Sequence, residues 1–342
     1  MTEPLLPSDP TWVAGHRLLG RLGAGGMGVV YLGRTPAGAL VAIKVIQAEY
    51  AAEPEFRARF RREIAAARRV SSPWAVPVTD ADPDAAEPWL ATVFVPGPSL
   101  AEAVAAHGPL PVRSVRVLGK RLARALDAVH TAGLVHRDVK PCNVLLAVDG
   151  PRLIDFGIAR GWESPRTESA GPVLGTPLTS MTSNDVIVGT PGFLAPEQAE
   201  ARATEVGPAS DVFALGCLLA YAATGRPPFG TGGVDGVLYR TVHGAADLQG
   251  VDALDGHLAD LLRDCLTKDP ARRPTARRLD KALPEDAPRG GASWLPEPLA
   301  RMIAERAAET AASRDADPTV PEEPLRPGRP RRHGAGQVDP IR

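Results

Sequence analysis

Three oxygen-bearing side chains near the middle of the chain have the types and spacing of a reaction centre. Asp138 and Asn143 lie in His136-Arg137-Asp138-Val139-Lys140-Pro141-Cys142-Asn143, and Asp155 follows in Asp155-Phe156-Gly157. Between them, Val144-Leu145-Leu146 and Arg152-Leu153-Ile154 flank the turn-forming pair Asp149-Gly150, the pattern of a β-hairpin. A hairpin brings its outer ends together, so Asp138, Asn143 and Asp155 are expected at one end. Asn143 and Asp155 offer hard oxygen ligands of the kind Mg²⁺ takes together with water and phosphate. Asp138 is suited to accept a proton from a hydroxyl nucleophile. Turn chemistry also groups Asp with Asn, but it does not require strands on both sides.

A second feature lies near the N-terminus. Gly23-Ala24-Gly25-Gly26-Met27-Gly28 has G-x-G-x-x-G spacing, a weak signal in a chain with 34 glycines. A dinucleotide-binding turn would need a helix directly after it and an acidic residue about 20 positions on. Here the strand-like Val29-Val30-Tyr31-Leu32 follows, and position 44 is lysine. The loop therefore reads as a hairpin tip that can fold over phosphates, its glycines letting backbone amides come close. On the next strand Val41, Ile43 and Val45 point one way, while Ala42 and Lys44 point to the space under the loop. A lysine there is costly unless paired. Glu63, on the inner face of a helix predicted over Pro54–Val70, is one partner; snorkelling from an edge strand is the other reading.

The elements that position these residues follow from periodicity. Short strands are expected at 16–23, 29–34, 39–46 and 89–95. Phe56, Phe60, Glu63 and Ala67 share one helical face. Ser99 with Glu102 forms a capping box. A long helix is predicted over Val112–Thr131, with Val115, Leu118, Leu122, Ala125 and Val129 as its buried stripe. From there to about residue 283 the chain is mostly helical, and Pro96-Gly97-Pro98 is a hinge-like join. A small β lobe followed by a larger α lobe is an α+β order. Ten of the 35 prolines lie in residues 284–342, where a helix is expected at Trp294–Ala312, isolated or docking, and the rest reads as a solvated, disordered tail. That tail holds Arg326, Arg329, Arg331 and Arg332.

Composition excludes some classes. The 342 residues are 44% hydrophobic and 23% charged with a net charge of −1, so no global field draws the chain to nucleic acid. The three cysteines form no paired framework, which suits a reducing cytosol. The N-terminus does not read as a signal peptide, and the longest apolar run, Val212–Ala223, is too short for a membrane span. A cytoplasmic protein is expected.

Taken together, seven ordered segments resemble the eukaryotic-like Ser/Thr protein kinases of bacteria, in actinobacterial style. They are 23–31, 41–44, 136–143, 155–157, 189–197 (GTPGFLAPE), 211–216 (DVFALG) and 269–275 (DPARRPT). The resemblance implies a bilobal protein-kinase-like fold of class α+β, with a small β-rich N-lobe carrying one key helix and a larger α-helical C-lobe. The domain would span 16–283 (N-lobe 16–95, C-lobe 99–283), after an extension at 1–15.

By resemblance the cofactors are ATP and Mg²⁺ or Mn²⁺. Lys44 would hold the α- and β-phosphates and pair with Glu63. Asp138 would be the catalytic base, Lys140 a γ-phosphate contact, and Asn143 and Asp155 the metal ligands. Gly23, Ala24, Gly25, Gly26, Met27 and Gly28 would cover the phosphates. Leu22, Val30, Ala42 and Leu145 would sandwich adenine, with Thr92 behind it and Val93, Phe94 and Val95 offering backbone hydrogen bonds. Glu197 would pair with Arg273, and Asp211 would brace the catalytic loop.

Some positions depart from the pattern. Cys142 stands where many relatives place a residue that reads basic substrates, Val93 replaces a frequent Glu, and Phe213 a common Trp. The 43 residues from Asp155 to Glu197 are long for the family. The resemblance implies protein substrates, the chain itself included, with a transient homodimer for autophosphorylation in trans. Arg137 would clamp a phosphate on Thr182, with Thr179, Ser180 and Ser183 as neighbouring alternatives and Thr190 following. Against a pseudokinase scaffold, Lys44, Asp138, Asn143 and Asp155 are all present. Against a small-molecule kinase, 189–197 and Asp211 resemble a peptide platform. A truncated membrane receptor kinase is the third alternative to a soluble enzyme.

Overall fold

The computed structural model describes residues 2–25, 28–156, 191–284 and 293–315, with side chains to 310. Gly26, Met27, Gly157, Thr179, Ser180, Thr182, Ser183, Thr190 and the four tail arginines lie outside the described residues.

The N-terminal lobe is a six-stranded antiparallel sheet. Its strands are β1 (Trp12–Val13), β2 (His16–Gly25), β3 (Gly28–Arg34), β4 (Leu40–Ile46), β5 (Val78–Asp82) and β6 (Trp89–Val93), in the order β1-β2-β3-β4-β6-β5. Helices α1 (Ala48–Ala51) and α2 (Pro54–Ala67) follow β4. Phe56, Phe60 and Ile64 of α2 pack with Ile46 and Leu90 in one core. The opposite sheet face has a second core of Leu18, Tyr31, Val41, Ile43, Trp89 and Ala91.

That outer core is covered by residues 2–13. Leu5 and Val13 pack against it. Glu3 and Arg21 exchange both backbone hydrogen bonds at 2.8 Å. Asp9 accepts from Arg21 Nε at 2.7 Å and from the Tyr31 hydroxyl at 2.9 Å. The Arg21 guanidinium beside it holds the Asp9 carboxyl well below the usual carboxylate range.

Register places the expected residues under the loop. Val30 lies opposite Lys44, and Ala42 opposite both Leu32 and Thr92. Strand β4 is paired on both sides, by β3 and β6, so Lys44 is on an inner strand, and snorkelling from an edge does not apply. Gly28 has φ +159°, and a Cβ there would overlap the Val45 carbonyl oxygen, so β3 can lie this close to β4 only with glycine.

The second lobe is helical apart from a hairpin. In chain order it comprises α3 (Leu100–His107), α4 (Val112–Thr131), β7 (Val144–Ala147), β8 (Gly150–Leu153), α5 (Pro196–Ala199), α6 (Pro208–Thr224), α7 (Val234–His243), α8 (Gln249–Asp252), α9 (Gly256–Cys265), α10 (Ala276–Ala282) and α11 (Glu297–Asp315). The Ser99–Glu102 capping box starts α3. The predicted stripe of α4 is fully buried and faces α6 and α10. Helix α6 is apolar almost all round, as a central core helix must be. Between the lobes, the Leu146 amide donates to Pro98 O at 2.9 Å, and a Cβ on Gly97 would overlap the Leu146 carbonyl, so the linker is seated on β7.

Several predicted boundaries shift. The helix after Pro54 ends at Ala67 instead of Val70. Strand β6 ends at Val93 instead of 95. The last helix runs Glu297–Asp315, leaving Trp294 outside it, because Pro296 disfavours a helical residue before it. Among the described residues no helix is long and apolar enough to cross a membrane.

Candidate active site

The loop after α4 is fixed from below by one buried carboxylate. Asp211, in the first turn of α6, accepts from the His136 amide at 2.8 Å and the Arg137 amide at 2.7 Å. His130 Nε2 lies 2.8 Å from the same carboxylate. These contacts offset the cost of burying the charge. Arg137 itself adopts φ +62°, and Asp155 φ +56°. A left-handed conformation costs a side-chain-bearing residue about 1–2 kcal/mol. At Arg137 it is held by the Asp211 contact and by Gln198 Nε2, which donates to the Arg137 carbonyl at 3.0 Å.

Above this base the expected residues converge. Lys140 Nζ lies 3.0 Å from Asp138 Oδ2. Asn143 Nδ2 donates to the same oxygen at 2.7 Å and to the Asp138 carbonyl at 2.9 Å. The β7–β8 hairpin forms around Asp149-Gly150 as predicted. The Ile154 amide donates to the Asn143 carbonyl at 3.0 Å, which sets Asp155 beside the loop. His136, fully buried, places Nε2 2.9 Å from the Ile154 carbonyl and stacks edge-on against buried Phe156.

The ion pairs correct one expectation. Lys44 Nζ lies 3.6 Å from Asp155 Oδ1, and Glu63 Oε1 lies 3.8 Å from Arg137 Nη1. The expected Lys44–Glu63 pair is not among the ion pairs of the described residues. Of the two candidate carboxylates, Glu63 and Asp155, the half-buried lysine takes Asp155. Which one it takes depends on the placement of α2, a tertiary property that spacing does not encode.

Of the residues expected around the nucleotide, Leu22, Val30, Ala42, Thr92 and Leu145 are half-buried, and Gly23, Ala24 and Gly25 are exposed. Val93 and Phe94 line a cavity shared with His16, Leu40 and Val41 of the sheet. Val95 is half-buried beside them. Cys142 is exposed next to Asn143.

A buried ion pair holds the far side of the loop. Arg273 donates to Glu197 at 2.7 and 2.9 Å, and the Ser210 hydroxyl donates at 2.6 Å. Burial pushes the Glu197 carboxyl up, but the Arg273 and Ser210 hydrogen bonds outweigh it and hold it below its ordinary value. Sequence reasoning missed Ser210, Gln198 and His130. His130 sits in the last turn of the predicted helix, the one signal available for it.

Asn143 and Asp155 fit a divalent cation in part. With Nδ2 donating to Asp138, Asn143 keeps its carbonyl oxygen as an acceptor, and Asp155 is a half-exposed carboxylate. Two hard oxygens leave most positions to phosphate and water, the arrangement Mg²⁺ prefers to an all-protein cage.

The family model described as "Protein kinase domain" matches residues 16–282. The chain is 44% identical over 303 residues to a probable serine/threonine-protein kinase, PkwA, of Thermomonospora curvata, covering 89% of this chain and 38% of that protein. It is 43% identical over 310 residues to the serine/threonine-protein kinase AfsK of Streptomyces coelicolor, covering 89% of this chain and 36% of that protein. The chain thus spans little more than a third of either relative. Among solved structures, the PknI kinase domain of Mycobacterium tuberculosis superposes with a TM-score of 0.59 at 29% identity, covering 82% of this chain and all of that one.

Proposed function

The chain belongs to the protein kinase domain family, and on that premise we propose that it transfers the γ-phosphate of ATP to serine or threonine hydroxyls of proteins. One observation carries this reading. Asp138 is held by Lys140 and Asn143 in a braced loop, and the hairpin returns Asp155 beside it, within reach of Lys44. In the proposed reaction the substrate hydroxyl oxygen bonds to the γ-phosphorus, the bond to the β–γ bridging oxygen breaks, and ADP leaves. Asp138 takes the hydroxyl proton. Lys44 orients the α- and β-phosphates and Lys140 the γ-phosphate, a division of labour that makes catalysis mostly positioning and charge neutralisation. Asn143 and Asp155 would hold Mg²⁺ or Mn²⁺, which supplies charge neutralisation on the phosphates. Leu22, Val30, Ala42, Thr92 and Leu145 would enclose adenine, with Val93–Val95 as backbone partners, and Gly23–Gly28 would cover the phosphates. Residues 16–283 would form the domain.

The ion pairs also support a means of control. Arg137 lies against Glu63. A phosphate on Thr182, or on Thr179, Ser180 or Ser183, would bring charge of about −1.5 to −2 and compete for Arg137. That would loosen the Arg137–Glu63 contact and favour a Lys44–Glu63 pair. Autophosphorylation in trans would supply the modification.

A labelled-ATP assay with the purified chain and a basic protein tests the activity. Asp138→Ala is expected to lower transfer about a thousandfold with the fold intact, and Lys44→Ala to do nearly the same. Wild-type rates in either variant would refute the assignment. Mass spectrometry after ATP treatment tests the control step; an unmodified 164–184 peptide in fully active enzyme would refute it.

A further inference from the structure

Residues 293–310 lie beyond the 16–282 family match, yet their apolar side chains are built into the same core as the catalytic lobe. Trp294, Leu295, Leu299 and Ile303 are all buried. The anchor is specific. Trp294 Nε1 donates to the Ala147 carbonyl at 3.0 Å, the Ser114 hydroxyl donates to the Trp294 carbonyl at 2.7 Å, and Arg113 donates to Ser293 O at 2.8 Å. Ala147 ends β7, the strand that begins directly after Asn143, so the anchor touches the hairpin that sets the metal-ligand candidates.

From that anchor α11 rises past the linker. Leu299, Ile303, Ala307 and Thr310 recur at helical spacing on one face. The span from Leu299 to Thr310 is about 16 Å at 1.5 Å per residue. Its lower half is seated in the C-lobe core. Ala307 and Thr310 line a cavity of about 720 Å³ whose other walls include His16 and Leu40 from the sheet and Val93 and Phe94 from the linker. One helix is therefore seated in the core at Leu299 and Ile303 and, at Ala307 and Thr310, faces the linker and the sheet across this cavity.

We propose that residues 293–310 form an in-cis brace of the nucleotide cleft, anchored by Trp294 and Ile303 in the C-lobe and restraining the linker and sheet through Ala307 and Thr310. The brace fixes the backbone of Val93–Gly97, so nucleotide affinity depends on a segment that touches no nucleotide. This rests on the reading that the cleft binds ATP. Trp294, Leu299, Ile303 and Ala307 are positioning residues, acting through the linker.

The test uses the full chain, with calorimetric binding of a non-hydrolysable ATP analogue with Mg²⁺. Amide hydrogen exchange at Val93, Phe94, Val95 and Gly97 is measured without nucleotide. Ile303→Asp unseats the helix and is expected to raise Kd about fivefold or more and to speed exchange at those amides. Ala307→Glu, which leaves the C-lobe anchor in place, should move both readouts the same way. Arg301→Ala, on the exposed face of the helix, should move neither. The proposal is overturned if Ile303→Asp strips protection from the α11 amides while Kd and linker exchange stay within about twofold of wild type. Should Ile303→Asp fail to fold, or keep its helix protected, Ala307→Glu decides: unchanged affinity and unchanged linker exchange overturn the brace. A wild-type chain that binds no nucleotide would refute the reading of the cleft, while linker exchange would still decide the brace.

Discussion

Glu197 and Arg273 show how much a single contact in this lobe is worth. Both side chains are fully buried, and Glu197 also accepts from Ser210. Removing one partner leaves the other charge buried and uncompensated, so Arg273→Ala should destabilise the chain by about 3–5 kcal/mol in urea unfolding. The pH dependence follows from the direction of the shift. The folded-state pKa of Glu197 is depressed, so its stabilisation is complete above the ordinary glutamate value of about 4.3 and is lost as pH falls through the lower folded value. Asp9, held down by Arg21, acts in the same sense. Thermal midpoints should therefore be flat from about pH 5 to 7 and fall below about pH 4. Glu197→Gln should lower the neutral-pH midpoint and flatten the acid fall; an unchanged acid limb would show that Glu197 does not control it.

At the scale of elements, the glycines that let strands approach carry the sharpest consequence. Gly28→Ala sets a Cβ against the Val45 carbonyl at a φ of +159°, so β3 must move from β4 or the loop must re-form. A cost of about 2–3 kcal/mol is expected, together with a higher KM for ATP, because β3 carries Val30 opposite Lys44. A destabilised variant with unchanged KM would show that the loop does not depend on this approach. The elements themselves were legible wherever local pattern and packing agree. Val112–Thr131 was read from its stripe, the β7–β8 hairpin from Asp149-Gly150, and the strands flanking the glycine run from the strand-like residues after it. Strand β5 was not, since Val78-Thr79-Asp80-Ala81-Asp82 has neither strand alternation nor β-formers throughout, and it forms by pairing with β6. The covering of the outer sheet by residues 2–13 was equally hidden. Asp9 meets Arg21 and Tyr31 only once β2 and β3 are paired, and an isolated aspartate in a Pro-rich stretch gives no hint of them. In the site, residue types and their convergence were readable, but the choice between Glu63 and Asp155 as the partner of Lys44 was not.

Across the whole molecule, one core joins what the sequence divides. Ile46, Phe56, Phe60, Ile64 and Leu90 belong to the same buried cluster as α4, α6, the hairpin and Trp294–Ile303. The outer sheet core is separate and smaller. A lobe boundary crossed by continuous packing should not behave as a thermodynamic boundary, because loosening one side exposes apolar surface on the other. Calorimetry of the full chain is therefore expected to show one cooperative transition covering both lobes. Phe60→Ala, which empties a fully buried site in α2, should lower that transition as a whole, by about 3–5 kcal/mol. Saturating nucleotide offers an independent reading, since a ligand at 100 times its Kd stabilises by about 2.7 kcal/mol whatever it touches. If the lobes are coupled, that gain appears in probes of α9 and α10 as much as in probes of β3 and β4. Two resolved transitions, with Phe60→Ala moving only one, would mean that the cluster is contiguous in space but not in energy, and control of the cleft would then fall to the linker and the helix behind it.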